Sequence, residues 1–112
     1  LSVEAGEVIE TLSATTFADG MAVRVPVAEA LAIYGKGASR IVAVSDAQIA
    51  EAARVLFSDT HNIAEGAGAA ALAALMAEAD RQKGKRVAVI LSGGNIDSAK
   101  AAQLLSGETP SP

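Results

Sequence analysis

Residues Leu91-Ser92-Gly93-Gly94-Asn95 close the apolar run Val87-Ala88-Val89-Ile90-Leu91 and precede the helical pattern Asp97 to Leu105. A β-rich run that stops in two glycines and an Asn places the Ser92 hydroxyl at the carboxyl end of a buried strand, where open α/β sheets hold their ligands. Such a hydroxyl can meet a ligand without adding charge, or it can simply hydrogen-bond the turn backbone. Gly93 and Gly94 let main chain approach a ligand edge, and Asn95 is expected to fix the turn through its side chain.

Glu65 precedes Gly66-Ala67-Gly68 at the start of an alanine-rich stretch. A carboxylate there is favoured by the helix dipole, and the two glycines weaken a helix unless something must come close to them. Asp19 and Gly20 lie in Thr15-Thr16-Phe17-Ala18-Asp19-Gly20-Met21-Ala22-Val23, where Asp19 suits a turn or a cap. His61, the only histidine, sits in the polar turn Asp59-Thr60-His61-Asn62 and reads as a surface or capping residue.

The elements that must position these groups are short. Pro26 stands as a first helical residue, with Val27, Ala30, Leu31 and Tyr34 on one face before Gly35 and Gly37. Arg40 to Val44 is a strand candidate. Ser45 and Gln48 then form a capping box for a helix that buries Ile49, Ala52, Ala53 and Leu56. A long alanine helix is predicted from about Ala64 to Gln82, followed after Lys83-Gly84-Lys85 by the strand Arg86 to Leu91. Few strands among many helices predict an α/β unit, a small parallel sheet covered by helices over residues 1–107, with 108–112 as a disordered tail.

Composition bounds the function. The chain has 112 residues, 51% hydrophobic but only 3% aromatic, so any core is made of Ala, Val, Leu and Ile that bury little area each. A chain of this kind expects a partner to cover it. The net charge of −4 has no basic patch and argues against a nucleic-acid surface. Zero cysteines exclude disulfides and thiolate metal sites and are compatible with the cytoplasm. The stretch Ala67 to Ala77 is too short to span a bilayer, and Leu1-Ser2-Val3-Glu4 lacks the positive start of a signal peptide.

In this order, the Thr15–Val23 segment, the Asn62–Leu75 segment and the Ser92-Gly93-Gly94-Asn95 turn resemble the C-terminal half of the threonine/serine dehydratase family. These are pyridoxal-phosphate enzymes of the tryptophan-synthase-β-like fold (fold type II), which also holds serine racemase and cysteine synthase. The resemblance runs from about Ser2 to Leu105. It implies that Ser92 meets the pyridine nitrogen of pyridoxal 5'-phosphate, with Gly93, Gly94, Asn95 and Glu65 beside the cofactor and Asp19 and Gly20 at the rim of the site. The whole enzyme would convert L-threonine to 2-oxobutanoate and ammonia, or L-serine to pyruvate, as a homo-oligomer.

None of Lys36, Lys83, Lys85 or Lys100 has the Ser/Asn-rich setting of the family's Schiff-base lysine. The family's glycine-rich phosphate loop is missing too, and its acidic cation site would fall before Leu1. Leu1 is not an initiator Met, and Ser2-Val3-Glu4-Ala5-Gly6 resembles the end of a family helix. A cleaved or truncated chain, or one half of a protein completed by an N-terminal half, is therefore expected, and inactive by itself. A non-catalytic regulatory or interaction module, or a relative such as serine racemase or threonine synthase, is the other reading.

Overall fold

The structure, a computed structural model, describes all residues from Leu1 to Pro112. Its helices are α1 (Ser2–Ala5), α2 (Ala28–Gly37), α3 (Asp46–Thr60), α4 (Gly66–Ala77), α5 (Ala79–Gln82) and α6 (Ser98–Leu105), with a 3₁₀ turn at Asp19–Met21. None is long and apolar enough to cross a membrane.

The helix α3 begins where the sequence predicts. The Ser45 hydroxyl accepts from the Gln48 main-chain N–H, and the Gln48 side chain accepts from the Ser45 N–H, so two donors that the first turn would leave unpaired are satisfied. Its inner face buries Ile49, Ala50, Ala52, Ala53 and Leu56. At its end His61 takes a left-handed conformation with φ 56° as the capping residue, with its N–H on the Phe57 carbonyl.

The packing of α3 on α4 is the most extensive contact between two elements. Ala50, Ala52 and Ala69 are wholly buried there, because methyl side chains let two helix backbones approach. Phe17, Ala18, Ala64, Ala70, Ala73 and Leu104 complete this core. The helix α6 starts on Asp97, whose carboxylate accepts from the Ala99 N–H at 2.8 Å, and seats Leu104 against α3.

Three elements differ from the sequence reading. The alanine helix ends at Ala77, where Glu78 leaves helical geometry (φ −115°, ψ 23°) and its carboxylate pairs with Arg40 and, at 3.4 Å, with Arg81. The helix α2 starts after Val27 rather than at Pro26. The tail also lies against the core instead of running free: Arg54 donates to the Glu108 carbonyl at 3.1 Å, and the Pro110 side chain is fully buried.

No residue of the chain lies in a strand, so the sheet of the α/β expectation is not formed by this chain itself. Arg40–Val44 and Arg86–Leu91 are neither helical nor paired, and the main chain from Arg86 to Ser92 makes no backbone hydrogen bond. A strand exists only with a neighbour to complete its ladder, and these two segments do not pair with each other. Ile41 and Ile90 are exposed as a result, at 61% and 74%. The radius of gyration, 14.8 Å, exceeds the value of about 13 Å typical of a compact domain of this length.

Gly35 and Gly37 differ from the glycines of α4 in having open space around them. Gly35→Ala is thus expected to stabilise α2 by up to about 1 kcal/mol through helix propensity, read as a higher melting temperature. A lower one would mean that this face of α2 is covered.

Candidate functional site

Three distant segments meet at the N-terminal end of α4. Asp46, the first residue of α3, holds the earliest of them: the Thr16 hydroxyl donates to Asp46 Oδ1, and the Phe17 N–H donates to Asp46 Oδ2 at 3.3 Å. The Thr16 hydroxyl in turn accepts from the Ala18 N–H at 3.1 Å. This fixes Ala18 over Gly66, where an added Cβ would lie 2.8 Å from Ala18 Cα. From there the chain turns through Asp19, whose carboxylate accepts from the Gly20 N–H at 2.9 Å, so Asp19 is a turn residue.

The Ser92–Asn95 turn crosses the other side of α4. A Cβ on Gly68 would lie 2.3 Å from the Gly93 carbonyl oxygen, and one on Gly94 would lie 2.5 Å from the Ile63 carbonyl oxygen. Main chain therefore touches main chain at both points, which is why glycine stands there. The Glu65 N–H donates to the Gly93 carbonyl at 3.1 Å, adding a direct bond between helix start and turn.

Glu65 lies between the two segments. Its carboxylate accepts from the Asn95 main-chain N–H at 3.0 Å, and a Cβ on Gly93 would come within 2.6 Å of its Oε1. As the residue capping α4 it makes no side-chain bond to its own helix. The turn is thus fixed by the Asn95 main chain rather than by the Asn95 side chain that the sequence suggested. The Ser92 side chain is exposed and has no hydrogen-bond partner within the chain.

The structure accordingly brings Gly20, Glu65, Gly93, Gly94 and Asn95 together and leaves His61 on the surface at the end of α3. Sequence reasoning missed Asp46. It reads locally as a first-turn carboxylate, and no local signal marks a partner thirty positions away.

Comparison with known proteins supplies a context for this cluster. A family model described as pyridoxal-phosphate dependent enzyme matches residues 1–93. The chain is 43% identical over 82 residues to L-threonine ammonia-lyase of Thermotoga maritima, an alignment that covers 73% of this chain and 20% of that protein. It is 31% identical to L-threo-3-hydroxyaspartate ammonia-lyase of Pseudomonas sp, over 95% of this chain and 33% of the relative. The crystal structure of a threonine deaminase from T.th. superposes with a TM-score of 0.79 at 33% identity, covering 86% of this chain and 35% of that one. The chain spans between a fifth and about a third of the length of these proteins.

Proposed function

The chain belongs to the family of pyridoxal-phosphate dependent enzymes, and from that premise we propose that it forms the Ser92-bearing wall of the cofactor site in an ammonia-lyase acting on a β-hydroxy amino acid, foremost L-threonine. The observation that carries this reading is the Ser92 hydroxyl: exposed and unbonded within the chain, it tops a turn held by Glu65, Gly68 and Ile63. No bond to the turn's own backbone occupies that hydroxyl, which leaves it available to a ligand.

The residues present fit one edge of the cofactor. Ser92 would donate to the pyridine nitrogen, while the Gly93 and Gly94 main chain would pass close to the ring. When bound, the cofactor supplies an electron sink for the charge left when the substrate loses its α-proton, and so lets the β-hydroxyl depart. A neutral hydroxyl bonds the ring nitrogen without holding it protonated, which moderates that sink and favours prompt elimination. Asp19 and Gly20 would stand at the rim on the far side of Glu65. The lysine that exchanges the proton and the cradle for the phosphate come from other parts of the enzyme. Within this chain Lys85 is engaged with Gln82 at 3.4 Å, and Lys36 lies in α2.

The same reading accounts for the unpaired segments. Arg40–Val44 and Arg86–Leu91 would become strands of a parallel sheet once neighbouring strands complete their ladders, which restores the α/β class for the assembled domain. The partner is then the remaining, N-terminal part of the enzyme.

A direct assay tests the proposal. The full-length protein with pyridoxal phosphate should release ammonia and 2-oxobutanoate from L-threonine, whereas the 112-residue chain alone should release neither. Borohydride reduction of that chain with the cofactor should leave its peptide masses unchanged. A stoichiometric adduct on one of its lysines, or a full-length protein inert toward L-threonine, L-serine and 3-hydroxyaspartate, would overturn the assignment.

A further inference from the structure

An N-cap residue ordinarily spends its side chain on the free N–H groups of the first helical turn, and glutamate is not among the residue types that do this well. Glu65 occupies that place in α4 without making any such bond. Its carboxylate instead crosses to the Asn95 N–H, while its main-chain N–H takes the Gly93 carbonyl. One residue thereby grips the Ser92–Asn95 turn at two points, on either side of Gly94. The remaining room is closed, because the carboxylate lies where a Gly93 side chain would begin.

We propose that Glu65 is a positioning residue whose carboxylate, through the Asn95 N–H, sets the height of the Ser92–Asn95 turn and hence the aim of the Ser92 hydroxyl. The inference rests on the reading of Ser92 as the partner of the cofactor's ring nitrogen. The carboxylate's charge strengthens this bond, but the geometry requires only an acceptor. The latch needs an oxygen acceptor at the end of a side chain of this length, and the side-chain amide of glutamine offers the same acceptor. A role confined to the helix dipole would require the charge itself.

The test uses the full-length enzyme and reads two quantities: hydrogen exchange of the Asn95 amide in the cofactor-free protein, and the dissociation constant for pyridoxal phosphate. Glu65→Ala should speed Asn95 exchange about tenfold or more, as loss of one hydrogen bond to a carboxylate does, and weaken cofactor binding by up to about fivefold, the whole of the Ser92 contribution. Glu65→Gln should hold Asn95 exchange within about fivefold of the parent and cofactor affinity within about twofold, since the bond is retained though its acceptor is no longer charged. Gly93→Ala supplies an independent route, because its methyl must displace the carboxylate. It should reproduce the Glu65→Ala effects and add little to them in the double variant.

A Glu65→Gln protein as impaired as Glu65→Ala would overturn the latch in favour of a dipole role, as would Asn95 exchange indifferent to Glu65→Ala. If exchange quickens while cofactor affinity holds, Ser92→Ala separates the causes. An affinity lost in Ser92→Ala but kept in Glu65→Ala refutes the positioning alone, and one kept in both refutes the Ser92 reading on which it rests.

Discussion

Gly68→Ala in the full-length enzyme should lower stability by about 2–3 kcal/mol, although glycine to alanine inside a helix normally gains about 1 kcal/mol. The sign is decided by what the methyl meets. Its carbon would lie 2.3 Å from the Gly93 carbonyl oxygen, 3.1 Å from the Gly93 nitrogen and 3.2 Å from the Gly93 carbonyl carbon. All three are main-chain atoms, and no rotamer change can move them aside. Either α4 withdraws from its buried seam with α3, or the Ser92–Asn95 turn lifts and loses the bond from Glu65 N–H to Gly93, contributing about 1 kcal/mol, and the one from Asn95 N–H to the Glu65 carboxylate, contributing about 1.5 kcal/mol. Thermal unfolding checks this beside Gly35→Ala, for which the opposite sign is expected. A Gly68→Ala protein as stable as the parent would show that the turn does not rest on α4.

Ser92→Asp should change the enzyme in kind. A carboxylate at this position would pair with a protonated pyridine nitrogen, and a hydrogen bond between charged partners is worth about 1.5–3 kcal/mol against about 1 kcal/mol for a neutral one. If the proposed function holds, the variant should therefore keep its cofactor but show a shifted absorption spectrum and a strong loss of turnover on L-threonine, because the protonated ring withdraws more charge than elimination needs. Unchanged spectrum and unchanged turnover would place the Ser92 side chain away from the ring.

Much of this site was legible in the residues themselves. The capping box of Ser45 and Gln48 is local chemistry within four positions, and it fixed the start of α3. The Glu65 and Ser92 segments carry glycines where main chain meets main chain, Gly66 on Ala18, Gly68 on Gly93 and Gly94 on Ile63, whereas Gly20 of the Asp19 segment meets the side chains of Ala67 and Glu65. What was not legible depends on distance along the chain. The Asp46 bonds to Thr16 and Phe17, the pairing of Glu78 with Arg40 that accompanies the end of α4, and the seat of Pro110 each join residues with no periodic or motif relation. The strand expectation for Arg86–Leu91 was a statement about side chains. Whether such a run becomes a strand is settled by a neighbouring backbone, and this chain brings none to it.

The central claim, that the exposed Ser92 hydroxyl is the chain's contact with the ring nitrogen, is tested most directly by the affinity of the full-length Ser92→Ala protein for pyridoxal phosphate. Removing one neutral hydrogen bond should weaken binding by about 1 kcal/mol, close to fivefold, while the melting temperature of the cofactor-free protein stays that of the parent. A Ser92→Ala enzyme that binds the cofactor as tightly as the parent, with the same spectrum, would contradict the claim and leave Ser92 an ordinary turn residue.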